Sequence, residues 1–395
     1  MEKLKELGLR LSSMAVFRAL LDDPVIGKLH RLLLSDGGQQ AVNAYGTFVS
    51  QLYNSGFDSL AAYVADVVGD NENPYIRAIG RGQTPGKALE EAANRELEIL
   101  QTVADLTPQA LSGVTGWDGW LPGFAVQTVD IPGSYKTRCA NIGQYGYGIY
   151  ARHRMFYVNQ DGRIVPVHNP DSTRLCDLID YEREQKIIMD NTKALLEGRP
   201  AANILLTGDA GTGKSSTVKA VVNELHDRGL RILEVRKEQL HAIPAVLDEL
   251  AGNPLKFILF IDDLSFGKDD GDFSVLKAIL EGSVSAKASN IVIYATSNRR
   301  HLVKESFSDR DGDDVHRTDT MQEIISLSER FGIQITFCKP AKSTYLDIVR
   351  HLAAQKGVTL DEKTLELRAE QFALGRGGRS ARAARQFVDQ LVSEQ

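Results

Sequence analysis

Cysteine is scarce in this chain, and no hydrophobic run is long. Three cysteines, Cys139, Cys176 and Cys338, occur in 395 residues, far apart and with no C-x-x-C spacing. That rules out a sequence-evident metal knot and fits a reducing compartment. No apolar stretch approaches the ~18–20 residues that a membrane-spanning helix needs. The opening MEKLKELGLRLSSMAVFRALL interleaves charge with apolar residues, so it lacks the continuous apolar core of a signal peptide. A large charge of one sign is missing too. Against 46 basic side chains stand 52 acidic ones, and a net charge of −6 does not suit coating nucleic acid by bulk charge. A cytoplasmic protein without a membrane span is expected.

The remaining composition, 43% hydrophobic and 25% charged, is that of an ordinary globular protein. At ~100–200 residues per domain the length suggests two or three domains. Leu4, Leu7, Leu11, Met14, Phe17 and Leu21 recur at three- and four-residue steps, which predicts an amphipathic helix. Lys3, Lys5 and Arg10 would suit a membrane surface, but a stripe packing on neighbouring helices is the preferred reading. Helical patterns continue through residues 39–68 and 86–106, so residues 1–130 are assigned to a mainly helical domain.

Glycine and aromatics then rise. NQDGR at 159–163 is a hairpin signal between two strand-like runs, and residues 131–172 are read as a small β unit ending in the linker NPDST. Arg138, Arg152 and Arg154 lie among Tyr135, Tyr145, Tyr147, Tyr150 and Phe156. Such interleaving stacks bases and holds phosphates in some proteins, and forms a packed, turn-rich edge in others.

From residue 173 the pattern alternates. A charged-faced helix at 180–197 precedes strands near 203–207, 231–235, 256–262, 290–296 and 333–338, with helices at 214–227, 238–250 and 273–281 between them. Alternation of this kind means an α/β fold, a parallel sheet sandwiched by helices. Residues 173–340 form this domain, and 341–395 form a small α-helical lid.

Gly208, Asp209, Ala210, Gly211, Thr212, Gly213, Lys214 and Ser215 match G-x-x-x-x-G-K-[ST] in full. The glycines let the backbone curl so that successive amides face an anion, and the helix starting there adds its positive end. Lys214 would reach the β- and γ-phosphates of ATP, and the Ser215 hydroxyl would ligate Mg²⁺, with Ser216 beside it. The run LKFILFIDDLSF supplies the second part. Phe257 to Ile261 reads as a strand buried on both faces, ending in Asp262 and Asp263. Asp262 is assigned to Mg²⁺ and Asp263 to the attacking water.

These parts in this order resemble an AAA+ ATPase over residues 175–395. The resemblance implies that Asn298 in NIVIYATSNRR senses the γ-phosphate and water. It implies that Arg330 in ISLSERFG is an arginine finger acting on a neighbouring subunit. Arg379 in GRGGRSARAARQF would be the lid arginine, with Arg376 and Arg382 as competitors, and Ile179 to Tyr181 would border the adenine. Arg299 and Arg300 are read as solvated charges. The phrases NRRHL, DDLSF and LSERFG are similar to a bacterial family of AAA+ ATP-binding proteins catalogued only as a domain of unknown function.

Two departures stand out. Asp263 occupies the place where AAA+ proteins usually have glutamate, one methylene longer. RKEQLHAIP lacks an aromatic-apolar-glycine pore loop, and SFGKDDGDFS, with Asp269, Asp270 and Asp272, reads as a solvated loop. The leading expectation is a homo-oligomeric, ring-forming ATPase that remodels a protein or protein complex. A DNA-associated initiator or loader and a slow nucleotide-dependent switch are the alternatives.

Overall fold

The strands expected to be covered on both faces are buried along nearly their whole length: β3 (Ile204–Gly208), β5 (Lys256–Ile261) and β6 (Ile291–Ser297). The structure, a computed structural model, describes residues 2–265, 271–281, 289–298 and 329–394, the side chains of 271–273 excepted. Chain contacts divide it into Met1–Arg152 and His153–Gln395.

In the second unit β1 (Met155–Val158), β2 (Ile164–Pro166), β4 (Leu230–Val235) and β7 (Ile333–Phe337) complete a sheet of order β2-β1-β4-β5-β6-β3-β7. Every pair is parallel except β1 with β2. Strand β6 therefore stands between β3 and β5, with Ile204 opposite Tyr294 and Phe257 opposite Ile291. That order brings the C-terminal tips of β3, β5 and β6 to one edge, where open α/β sheets bind ligands. This is the expected parallel sheet, with the phosphate-loop motif following β3.

Helices Glu182–Leu196 and Lys214–Leu225 lay Ile188, Val218, Val221 and Val222 on a core shared with Ile204, Ile258, Phe260 and Tyr294. Helices Lys342–Gln355, Glu362–Gly375 and Ala381–Ser393 follow, with their own core of Tyr345, Val349, Ala369 and Phe387. The Tyr345 hydroxyl donates to the Ala369 carbonyl at 3.0 Å, tying two of them together.

The first unit is helical around Phe17, Phe48, Leu52, Val64 and Leu100. Its opening corrects one expectation. The apolar stripe from Leu4 to Leu21 is buried at Leu7, Leu11, Met14 and Phe17, but the helix ends at Ser12. Glu96, on the helix Lys87–Ala104, explains the break. Its carboxylate accepts from the amides of Ala15 at 2.7 Å, Val16 at 3.0 Å and Phe17 at 2.8 Å. Those amides are taken from the helical ladder by a side chain some eighty residues away.

The expected small β unit is corrected as well. Residues Ile131–Ala140 form a helix, with Asp130 as its cap and Pro132 in its first turn. The hairpin is real, but β1 pairs with β4, Met155 opposite Ile232, and so joins the large sheet. A lone two-stranded hairpin is marginal, and the sheet supplies the missing partner. Most of the aromatic and basic residues here are used in packing. Tyr135, Tyr147 and Tyr150 are buried. Arg138 and Arg152 both pair with Asp70, at 2.5 and 2.9 Å, and Arg154 donates to Asn223 at 2.8 Å. Tyr145 stays exposed, with the Arg138 guanidinium 5.2 Å over its ring. Among the described residues no helix is long and apolar enough to cross a membrane.

Candidate nucleotide site

β3 ends at a position only glycine fits. Gly208 has φ of +129°, and a Cβ there would lie 2.0 Å from the Phe337 carbonyl oxygen on β7. The chain then curls through Gly211 and Gly213, both with positive φ, and Gly213 caps the helix starting at Lys214. Lys214 is buried to 5% exposure. Its Nζ donates to the carbonyls of Gly208 at 3.0 Å and Asp209 at 2.8 Å, and to Asn298 Oδ1 at 3.0 Å. Burial pulls its pKa below the ordinary lysine value, against the attraction of Asp209, Asp262 and Asp263.

The tips of β5 and β6 meet the loop. Ser215 Oγ donates to Asp262 Oδ1 at 2.6 Å, and Thr296 Oγ1 donates to the same oxygen at 2.5 Å. Asp263 has φ of +54°, and its Oδ1 accepts from Asn298 Nδ2 at 2.6 Å. Asn298 thus holds Lys214 with its oxygen and Asp263 with its nitrogen.

A cavity of about 530 Å³ opens over these groups, a size usual for small-ligand sites. One wall runs from Ala210 to Ser216 with Asp262, Asp263 and Asn298; Ile179 and Tyr181 form another, and Ile348, Leu352, Arg382 and Arg385 close it from the lid. Asp180 and Tyr181 carry φ of +76° and +67°. Left-handed residues other than glycine cost on the order of 1–3 kcal/mol each and persist where the surroundings hold them. Here Gln185 Nε2 donates to the carbonyls of Leu178 at 3.2 Å and Asp180 at 3.0 Å. The Tyr181 hydroxyl donates to the Cys338 carbonyl, and its ring lies 4.8 Å from that of Phe337. Burial, with Asp180 beside it, raises the Tyr181 phenol and keeps it a neutral donor.

The expected site residues separate into two groups. Ala210 to Ser216, Asp262, Asp263 and Asn298 line one cavity, with Gly208 and Asp209 at the base of the loop. Arg330 and Arg379 do not line it. Arg330 Nε donates to Glu281 at 2.8 Å. Arg379 makes a two-pronged pair with Glu370, at 2.9 and 2.6 Å, which holds the Glu370 carboxyl below its usual range. Arg376 lies over the Phe372 ring. Of the three arginines, Arg382 is the one set beside the loop. Its amide donates to the Gly211 carbonyl at 3.3 Å, and its Cβ lies 3.1 Å from where a Cβ on Gly211 would stand. Ser380 explains the choice, because its Oγ caps the last lid helix and turns Arg382 into the first turn. Three arginines at three-residue spacing carry no such signal, nor did Arg385, Gln185 or Thr296. Arg299, Arg300, Asp269 and Asp270 lie outside the described residues, as does the side chain of Asp272.

The Holliday junction branch migration motor RuvB of Thermotoga maritima is similar over 55% of this chain, at 16% identity and a TM-score of 0.38. This chain spans 63% of that RuvB chain, under two thirds. A chain from the HORMA:CdnC:Trip13 complex of E. coli MS115-1 is similar over 55% of this chain and 90% of its own length, at 13% identity and a TM-score of 0.37. No curated protein matches at a significant level. The profile of the family described as "Protein of unknown function (DUF815)" matches residues 151–395, which hold the whole candidate site and the three C-terminal helices. The chain belongs to that family.

Proposed function

We propose that the protein is a magnesium-dependent ATPase that works as a homo-oligomer and remodels a protein or protein complex. The observation that carries this reading is the convergence of Lys214, Asn298 and Asp263 beside the Ser215–Asp262 pair, on one wall of a cavity closed by a lid. Each group has a task. Lys214 exchanges the carbonyls of Gly208 and Asp209 for β- and γ-phosphate oxygens. Asn298 and Asp263 orient the attacking water, and Asp263 takes its proton. Arg382 follows the γ-phosphate from the lid, so that lid position reports the bound nucleotide.

Ser215 and Asp262 offer hard oxygens 2.6 Å apart, a donor set that fits Mg²⁺ with phosphates and water completing its shell. When bound, the ion supplies charge neutralisation between the β- and γ-phosphates. Arg330 lies outside the cavity of its own chain, which supports a role on a neighbour's γ-phosphate, worth ~10³–10⁵ in rate for arginine fingers. It must then leave Glu281. The helical first unit is the candidate client-binding part. Most of the aromatic and basic side chains near residues 135–157 are engaged in packing, so the remodelling reading is preferred to the DNA-loader one.

Calorimetry with ATP, ADP and Mg²⁺, phosphate release, and sedimentation with and without ATP test the proposal. Binding and turnover are expected in the wild type, lost in Lys214→Ala. Arg330→Ala should bind ATP but hydrolyse it slowly. Absence of nucleotide affinity in the wild type sinks the reading, and undiminished hydrolysis by Arg330→Ala removes the finger.

A further inference from the structure

The ladder between β5 and β6 breaks at one residue. Phe257 N–H donates to the Asn290 carbonyl at 2.8 Å, and Phe257 pairs with Ile291 through to Ile261 with Ala295. Carried forward two residues at a time, that register directs the Asp263 amide to the Thr296 carbonyl. The amide goes instead to the Thr296 hydroxyl, at 2.9 Å. The vacated carbonyl accepts from Leu264 N–H at 2.7 Å. Two residues therefore face one, a bulge, and Asp263 at its centre has φ of +54°. The Thr296 proton is not idle: it lies on Asp262 Oδ1 at 2.5 Å.

We infer that Thr296 is a positioning residue for the proposed hydrolysis, its one hydroxyl aiming both acids at the tip of β5. This rests on the ATPase reading. As acceptor it takes the amide displaced by the bulge, which lets Asp263 turn toward Asn298. As donor it fixes the Asp262 carboxylate against Ser215. The same geometry accounts for aspartate at 263. Asp and Asn are several-fold enriched among left-handed residues because their short side chains bond locally, an advantage glutamate lacks. The missing methylene is matched to a backbone that already points the carboxyl at Asn298.

Thr296→Val keeps the β-branched shape and removes the hydroxyl; Thr296→Ser keeps the hydroxyl. In Thr296→Val the displaced amide has an acceptor only if the register slips back by one residue, and such a slip turns the side chain at 263 to the other face. A crystal structure of Thr296→Val is expected to show the Asp263 amide on the main-chain carbonyl of position 296 and negative φ at Asp263. Calorimetry is expected to show ADP affinity without magnesium within about threefold of wild type, and the tightening by Mg²⁺ reduced about tenfold, as for lost supports of metal ligands. Turnover should fall on the order of 10²-fold, as for a misplaced general base. Thr296→Ser should restore both to within about threefold.

An unchanged bulge with wild-type magnesium dependence and turnover in Thr296→Val overturns the inference. So does Thr296→Ser failing as Thr296→Val does, since packing would then be the cause. A wild type without nucleotide affinity overturns the ATPase reading instead, and leaves the bulge geometry to be judged by the crystal structure alone.

Discussion

The ammonium of Lys214 and the carboxylate of Asp263 are linked through the single amide of Asn298, by bonds of 3.0 and 2.6 Å. A phosphate that draws Lys214 away breaks the first bond and leaves Asn298 free to turn with Asp263. Asn298→Ala is therefore expected to bind ATP within about threefold of wild type and to lose on the order of 10²-fold in kcat, the usual scale for one transition-state donor. Equal losses in binding and kcat would show that Asn298 serves affinity alone.

Lys214 sets a cost against its function. Its pKa is lowered by burial, so its charged form opposes folding while the pH lies below that lowered pKa, and the penalty fades as pH rises toward the unfolded value. Lys214→Met, which cannot hold phosphate, is expected to melt higher than wild type at neutral pH, with the gap shrinking in alkali. Melting curves of the two proteins from pH 7 to 10.5 read this directly. A constant gap would mean the charge is not its source.

Arg379 and Arg382 should separate cleanly. Arg379→Ala breaks the pair with Glu370 and is expected to change the melting temperature little, because the arginine is solvent-exposed. The Glu370 carboxyl is held low by Arg379, so this contribution is present above the unfolded carboxylate pKa and disappears as pH falls through the folded value. Arg382→Ala should leave stability unchanged and weaken ATP, but not ADP, by about tenfold, one lost charged contact. A reversed pattern would return the lid role to Arg379.

Glu96 is expected to hold the first unit together. Removing a buried carboxylate that accepts from Ala15, Val16 and Phe17 leaves those amides without it, and Glu96→Ala should cost about 3 kcal/mol. Urea unfolding followed by amide exchange of residues 13–20 checks it; protection equal to wild type would contradict the role.

Much of this was readable from short stretches. Five-residue apolar runs named the buried strands, and glycine at 208, 211 and 213 named the phosphate loop, because backbone curl and strand burial are properties of neighbouring residues. The helix break at Ser12 was not, since the Glu96 carboxylate that causes it lies far along the chain. Nor was the hairpin's destination, which depends on β4 offering a free edge.

The placement of the C-terminal arginines follows the same division. Local spacing offers Arg376, Arg379 and Arg382 alike, and packing of a capped helix on Gly211 sets the last of them beside the loop. The bulge at Asp263 needed Thr296 from another strand, thirty-odd residues on. Turn chemistry, strand burial and phosphate-loop spacing act over a few bonds and are written in order along the chain. Strand neighbours, the capture of an amide by a distant side chain and the aim of a carboxylate arise between segments that meet only after folding.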